Sequence, residues 1–213
     1  MNRRIEYIDA MRGLAMTLVV IYHFFTGSFH YSNAFNYAIN NTLQIPLFFM
    51  ISGFFAPHML RKPFIHAIFD KFLRLVLPAI LMLSLYLWIF NHNYVSALFH
   101  RFKDGYWFTF VMFGYTIIYI ITAQISKRLR LSDRGSDCLH LFVGLLITYT
   151  ALATNRLSAK CPAIELFSTV AYYNYFFYAL GAVLFANRQR VFKALNNRWF
   201  LGGSILFLSL IHI

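Results

Sequence analysis

RRIEYIDAMRGLAMTLVVIYHFF, residues 3–25, decides the fold. Two arginines open it, and from Ala10 onward it is apolar apart from a few positions. About 20 mostly apolar residues cross a hydrocarbon core when wound as an α-helix. Arg12 and His23 stand inside the run, and no small-residue cleavage site follows it. It therefore reads as a retained span and not as a cleaved leader.

Six further runs of this kind follow, giving seven expected spans at about 10–29, 43–60, 72–90, 106–126, 138–154, 166–186 and 199–213. A lone strand in lipid would leave its backbone unpaired, so the spans must be helices. The period-two alternation of a membrane barrel is absent. The expected architecture is all-α: one polytopic bundle over residues 1–213, with no linker dividing it. The last run ends at Ile213 without polar flanks, and the expectation is a chain truncated at its C-terminus.

Composition agrees. Of the 213 residues, 60% are hydrophobic and 12% charged, about half the charge of a soluble domain. The mean hydropathy is +0.59. The net charge of +12 raises nucleic acid as a partner. Its placement argues against one, because the cations sit in short clusters between apolar runs. Those clusters alternate sides. Arg3, Arg4 and Arg12, then Arg61, Lys62, Lys71 and Arg74, then Lys127, Arg128, Arg130 and Arg134, then Arg188, Arg190, Lys193 and Arg198 all fall on one side. Only Arg101, Lys103, Arg156 and Lys160 of the 19 fall on the other. The positive-inside rule puts the N-terminus in the cytoplasm. Cys138 and Cys161 then lie on opposite sides, so no disulfide joins them.

Ionisable groups within spans are costly and are functional candidates. Arg12 and His23 are eleven residues apart, close to three helical turns, and share a face about 16 Å apart along the axis. Asp9 lies three residues before Arg12 on the same side. The simpler roles are a snorkelling arginine and a structural histidine. Ser52 and Gly53 permit close helix packing. Lys71 and Arg74, three apart, put two cations on one face at the cytoplasmic surface. They suit phosphate groups or a plain membrane anchor. Pro78 is expected to kink the third span. Tyr106 and Trp107 are interfacial belt aromatics or the wall of a sugar site. Most of the remaining histidines are expected in loops or at helix ends, solvated. No Gly-x-Ser-x-Gly elbow, P-loop, dinucleotide fingerprint, HExxH or His-x4-Asp motif occurs, and no metal is implied.

The run at 3–25 resembles the first helix of the integral-membrane acyltransferase-3 family, which includes bacterial O-acetylases and glucan-modifying acyltransferases. That family carries an arginine, ten residues, then a histidine, matched by Arg12 and His23. Its Phe-Phe-x-x-Ser-Gly-Phe block is matched by Phe48 to Phe54, and its basic pair by Lys71 and Arg74, with lysine where arginine is commoner. Trp107-Phe108 and Phe177 to Gly181 match two further blocks. The resemblance covers about residues 4–186; members commonly have about ten spans.

The resemblance implies a multi-pass enzyme of the bacterial inner membrane. It would move an acyl group, expected to be acetyl, from acyl-CoA to a hydroxyl of a cell-surface or lipid-linked glycan. His23 and Arg12 would be catalytic. Lys71, Arg74 and Arg12 would hold the acyl-CoA phosphates, and Trp107, Asp9 and Ser52 would line the acceptor site. Acyl-CoA is a co-substrate, and no tightly bound cofactor is expected. A transporter or flippase without chemistry, or an inactive truncated member, are the competing readings.

Overall fold

The computed structural model describes residues 44–90, 106–158 and 169–195, together with 13, 17, 20–22 and 24 of the first run. Among these residues all regular structure is helical and none is strand. In chain order the helices are α1 (Ile45–Phe54), α2 (Phe64–Lys71), α3 (Leu77–Ile89), α4 (Trp107–Arg128), α5 (Asp133–Ser158), α6 (Tyr175–Ala186) and α7 (Arg188–Leu195). Three stretches are long and apolar enough to cross a membrane: Phe64–Ile89, Trp107–Arg128 and Asp133–Thr154. The expected spans at 10–29 and 199–213 lie outside the described residues, apart from the six early positions. Those six are helical, and Thr17 Oγ1 donates to the Gly13 carbonyl at 2.9 Å.

The boundaries move where proline dictates. The span expected at 43–60 is α1 followed by a 3-10 segment, Ala56–Arg61, which makes a 17-residue apolar helix at most. Pro57 has no N–H and would clash with the carbonyl four residues back, so the α-helix cannot run through it. The third span begins earlier than expected, at Phe64 directly after Pro63. A π turn, Phe72–Val76, precedes Pro78 and joins α2 to α3. The wider turn relieves the crowding that proline imposes on the preceding carbonyls. The span expected at 166–186 opens with a 3-10 segment, Thr169–Asn174, before α6.

The outward surfaces are apolar. Trp88, Ile65, Phe142 and Tyr149 all keep more than 60% of their area exposed, which suits helices that face lipid. The interior is aromatic. Tyr115 of α4 is fully buried and meets the rings of Phe49, Tyr172, Tyr175 and Tyr178 at 4.9–5.5 Å. Its hydroxyl donates to the Ala171 carbonyl at 2.7 Å. Thr116 and Thr122 satisfy their hydroxyls on the carbonyls of Met112 and Ile118 in the preceding turn, as polar groups in an apolar helix must.

Helices α4 and α5 form a tight antiparallel hairpin. Leu131 N–H bonds the Ser126 carbonyl and Arg130 N–H the Lys127 carbonyl, both at 3.1 Å. This Schellman closure puts its penultimate residue in the left-handed region, here Arg130 at φ 52°. Ser132 then caps α5, its Oγ accepting from Gly135 N–H at 3.2 Å.

The thiols offer a test of orientation. Cys138 is a free, exposed thiol near the start of α5, and Cys161 lies outside the described residues. With the N-terminus cytoplasmic, a membrane-impermeant maleimide should label Cys161 in intact spheroplasts and Cys138 only in inverted vesicles. The reverse pattern would invert the topology.

Candidate functional site

The sequence blocks at 48–54, 107–108 and 177–181 meet in one packing unit. Phe48 and Phe49 of α1 pack on Phe108 at 4.7 and 5.0 Å between ring centroids. Phe49 also faces Trp107 at 6.5 Å. Helices α1 and α6 cross with their backbones in contact. A Cβ on Gly53 would collide with the Tyr178 carbonyl, whose carbon lies 2.7 Å away, and one on Gly181 with the Met50 carbonyl, carbon at 2.8 Å. Small residues at a membrane crossing allow this approach. The glycines therefore bring Tyr178 against the ring of Tyr115 and fix α6 on α1.

Ser52, half-buried beside Gly53, accepts the Phe55 N–H on its carbonyl at 3.2 Å. Trp107, the first residue of α4, is half-buried with its ring on the aromatic core. Arg12, His23 and Asp9 lie outside the described residues.

Lys71 and Arg74 do not form the simple helical pair that their spacing implies. The π turn between them changes the register. Lys71 is half-buried at the end of α2, whereas the Arg74 side chain is 71% exposed. Arg74 Nε donates to Asp70 Oδ1 at 3.0 Å, and Lys62 Nζ donates to Asp70 Oδ2 at 2.9 Å. One carboxylate therefore holds two cations at the end of the bundle that carries the basic loops. Asp70 was legible as the residue four before Arg74, a spacing at which helical ion pairs form. Lys62 reaches it from beyond Pro63, which only the fold shows. The terminal nitrogens of Arg74 have no partner among the described residues, so its fork is oriented and available to a bidentate anion.

The histidine expectation is corrected at one position. His140 is 5% exposed and stacks on Tyr119 at 4.6 Å. It is placed one turn further into α5 than a solvated helix end, and α4 packs over it. His58 and His66 are exposed, as expected.

A family model described as an acyltransferase domain matches residues 5–213. No curated protein and no solved structure matches the chain.

Proposed function

Because the chain belongs to the acyltransferase-3 family, and is thereby a membrane acyltransferase in general, we propose that it transfers an acetyl group from acetyl-CoA to a hydroxyl of a cell-surface or lipid-linked glycan. The observation that carries this reading is the family match itself, which runs through the Arg12-x10-His23 pattern. The oriented cations at the basic end support it. The bacterial inner membrane, with the N-terminus and all basic loops cytoplasmic, belongs to the same proposal.

In this scheme the donor comes from the cytoplasmic side. Arg74, Lys71 and Arg12 meet its phosphates, and the narrow pantetheine arm follows the first helix. The axial distance from Arg12 to His23, about 16 Å by helix rise, suits that reach. His23 takes the proton of the acceptor hydroxyl, the oxygen attacks the thioester carbonyl, and the C–S bond breaks. The thiolate leaves as the free thiol with the proton that His23 returns. Asp9 pairs with Arg12, and Trp107 and Ser52 lie on the acceptor's path.

Transfer of label from acetyl-CoA to glycan, in membranes carrying the chain or its His23→Ala variant, tests the reading. Incorporation that depends on His23 is expected. Equal, negligible incorporation with acetyl-, succinyl- and longer acyl-CoA donors would overturn the proposed donor class.

Asp70 gives a second test. It is partly exposed and sits beside the cations that meet the donor phosphates. Asp70 and an incoming phosphate compete for the same Arg74 and Lys62 donors, and the exposed pairs that the phosphate would displace are weak. Asp70→Asn is therefore expected to lower KM for the donor about two- to fivefold with kcat unchanged. A rise in KM would mean that holding the Arg74 fork matters more.

A further inference from the structure

A second basic feature stands apart from Lys71 and Arg74. The α4–α5 turn and the α6–α7 junction enclose an open cleft of about 960 Å³. Four cations line it, Lys127, Arg134, Arg188 and Arg190, against two carboxylates, Asp133 and Asp137. The first turns of α5 and of α7 both form its wall and bring it the positive ends of two helix dipoles, although Ser132 Oγ already takes the Gly135 N–H and the Asn187 carbonyl those of Arg190 and Val191.

Local bonds build the cleft. Asn187 Nδ2 donates to Asp137 Oδ2 at 2.6 Å, pinning the α6–α7 junction to α5 and occupying one carboxylate oxygen. Arg188 donates to the Phe185 carbonyl at 3.2 Å, and its guanidinium lies 4.5 Å from the centroid of the Phe185 ring. Arg190 contacts the Asn187 side-chain oxygen at 3.4 Å. Arg134 is exposed and has no partner among the described residues.

The independent observation is His140. It lines the cleft, is 5% exposed, and its Nδ1, itself sealed from solvent, has no hydrogen-bond partner among the described residues. A buried polar nitrogen left unpaired is costly and calls for a partner, which a ligand parting the cleft wall would supply. Cations, helix N-termini and an imidazole are together the donor set of a phosphate group.

We infer that this cleft binds a phosphate group, presented either by a soluble phosphorylated molecule or by an anionic lipid headgroup. The assignment goes beyond the acyl-transfer reading. Binding is measured without donor or turnover, so either assignment can fail alone.

The experiment uses the full chain purified in neutral detergent, with inorganic pyrophosphate as the soluble probe. A second arm uses nanodiscs of phosphatidylcholine and phosphatidylglycerol at about four to one, with retained lipid counted by native mass spectrometry. Arg134→Gln/Arg188→Gln removes two cleft cations. Arg128→Gln/Lys193→Gln removes two cations that do not line the cleft from the same two segments. If the ligand is soluble, wild type binds pyrophosphate, the cleft pair weakens it at least tenfold, and the control pair stays within twofold. If the ligand is a headgroup, pyrophosphate binds poorly, and retained phosphatidylglycerol falls only in the cleft pair. The inference is overturned if neither probe binds, or if the cleft pair loses no more binding than the control pair. Should the cleft pair fail to fold, Arg134→Gln alone, at an exposed position, must weaken binding at least threefold.

Discussion

Gly53→Ala and Gly181→Ala are each expected to lower the melting temperature of the detergent-solubilised chain by about 6–12 °C. At both positions the new methyl group meets backbone. Beyond the Tyr178 carbonyl, the Tyr178 Cα lies 2.9 Å from the Gly53 Cβ position, and Phe54 N lies 3.0 Å from that of Gly181. Backbone cannot swing aside as a side chain can, so α1 and α6 must separate. That separation pulls Phe49 and Tyr178 away from Tyr115, to which both pack. Overpacking costs about 1–3 kcal/mol, and here the upper end of that range is expected because backbone meets the new methyl. For a chain of this length each kcal/mol moves the melting temperature by about 2–4 °C.

Three other glycines make the effect falsifiable. A Cβ on Gly135 would meet only Leu131 and Ser132 side-chain atoms at 3.4 Å, so Gly135→Ala should be neutral or slightly stabilising. On Gly144 it would lie 3.2 Å from the Ala179 Cβ, an intermediate case. On Gly114 the obstacle is the far end of Tyr172, a side chain that can turn away. The expected order of damage is Gly53 and Gly181, then Gly144 and Gly114, then Gly135. Size-exclusion profiles and thermal melts of the five variants would check it. A flat ranking would mean that the α1–α6 crossing is not where the bundle is held together.

The all-helical, lipid-facing character was legible because it rests on long-range composition. A run of 20 apolar residues has few folded solutions, and cations between runs leave little doubt about spacing. The packing role read for Gly53 also held, since a small residue within a bulky run invites a close crossing. Proline effects were only half legible. Pro78 announced a disturbance, but the response is a π turn upstream that takes Arg74 off the face of Lys71, while its pairing with Asp70 keeps the ordinary four-residue spacing. The helix period alone cannot anticipate such a change of register. His140 was missed because its burial depends on Tyr119, 21 positions away on another helix. Likewise the Asp137–Asn187 bond spans 50 residues. Contacts of that separation are set by how helices pack, and a single sequence leaves no trace of them.

His23→Ala is expected to reduce acyl transfer by about 10²- to 10⁴-fold, the usual contribution of a positioned acid–base group, while leaving expression and melting temperature unchanged. His23 falls within the span expected at 10–29, and an imidazole in such a place is kept for a partner or for chemistry. It also stands eleven residues after Arg12 in a chain that belongs to an acyltransferase family. A structural histidine would give the opposite signature, with lowered melting temperature and transfer reduced only in proportion to folded protein. The same variant separates two mechanisms. If His23 is a general base, no labelled protein accumulates when donor is supplied without acceptor. If it takes the acyl group itself, rapid acid-free quenching should trap label on the wild-type chain and none on His23→Ala. Arg12→Ala should behave differently, raising KM for the donor more than it lowers kcat, because a cation at the mouth of the path binds phosphate in ground and transition states alike. Should Arg12→Ala instead abolish kcat at saturating donor, the guanidinium acts at the reacting carbonyl, and the first helix cannot present both groups about 16 Å apart on a regular α-helical path.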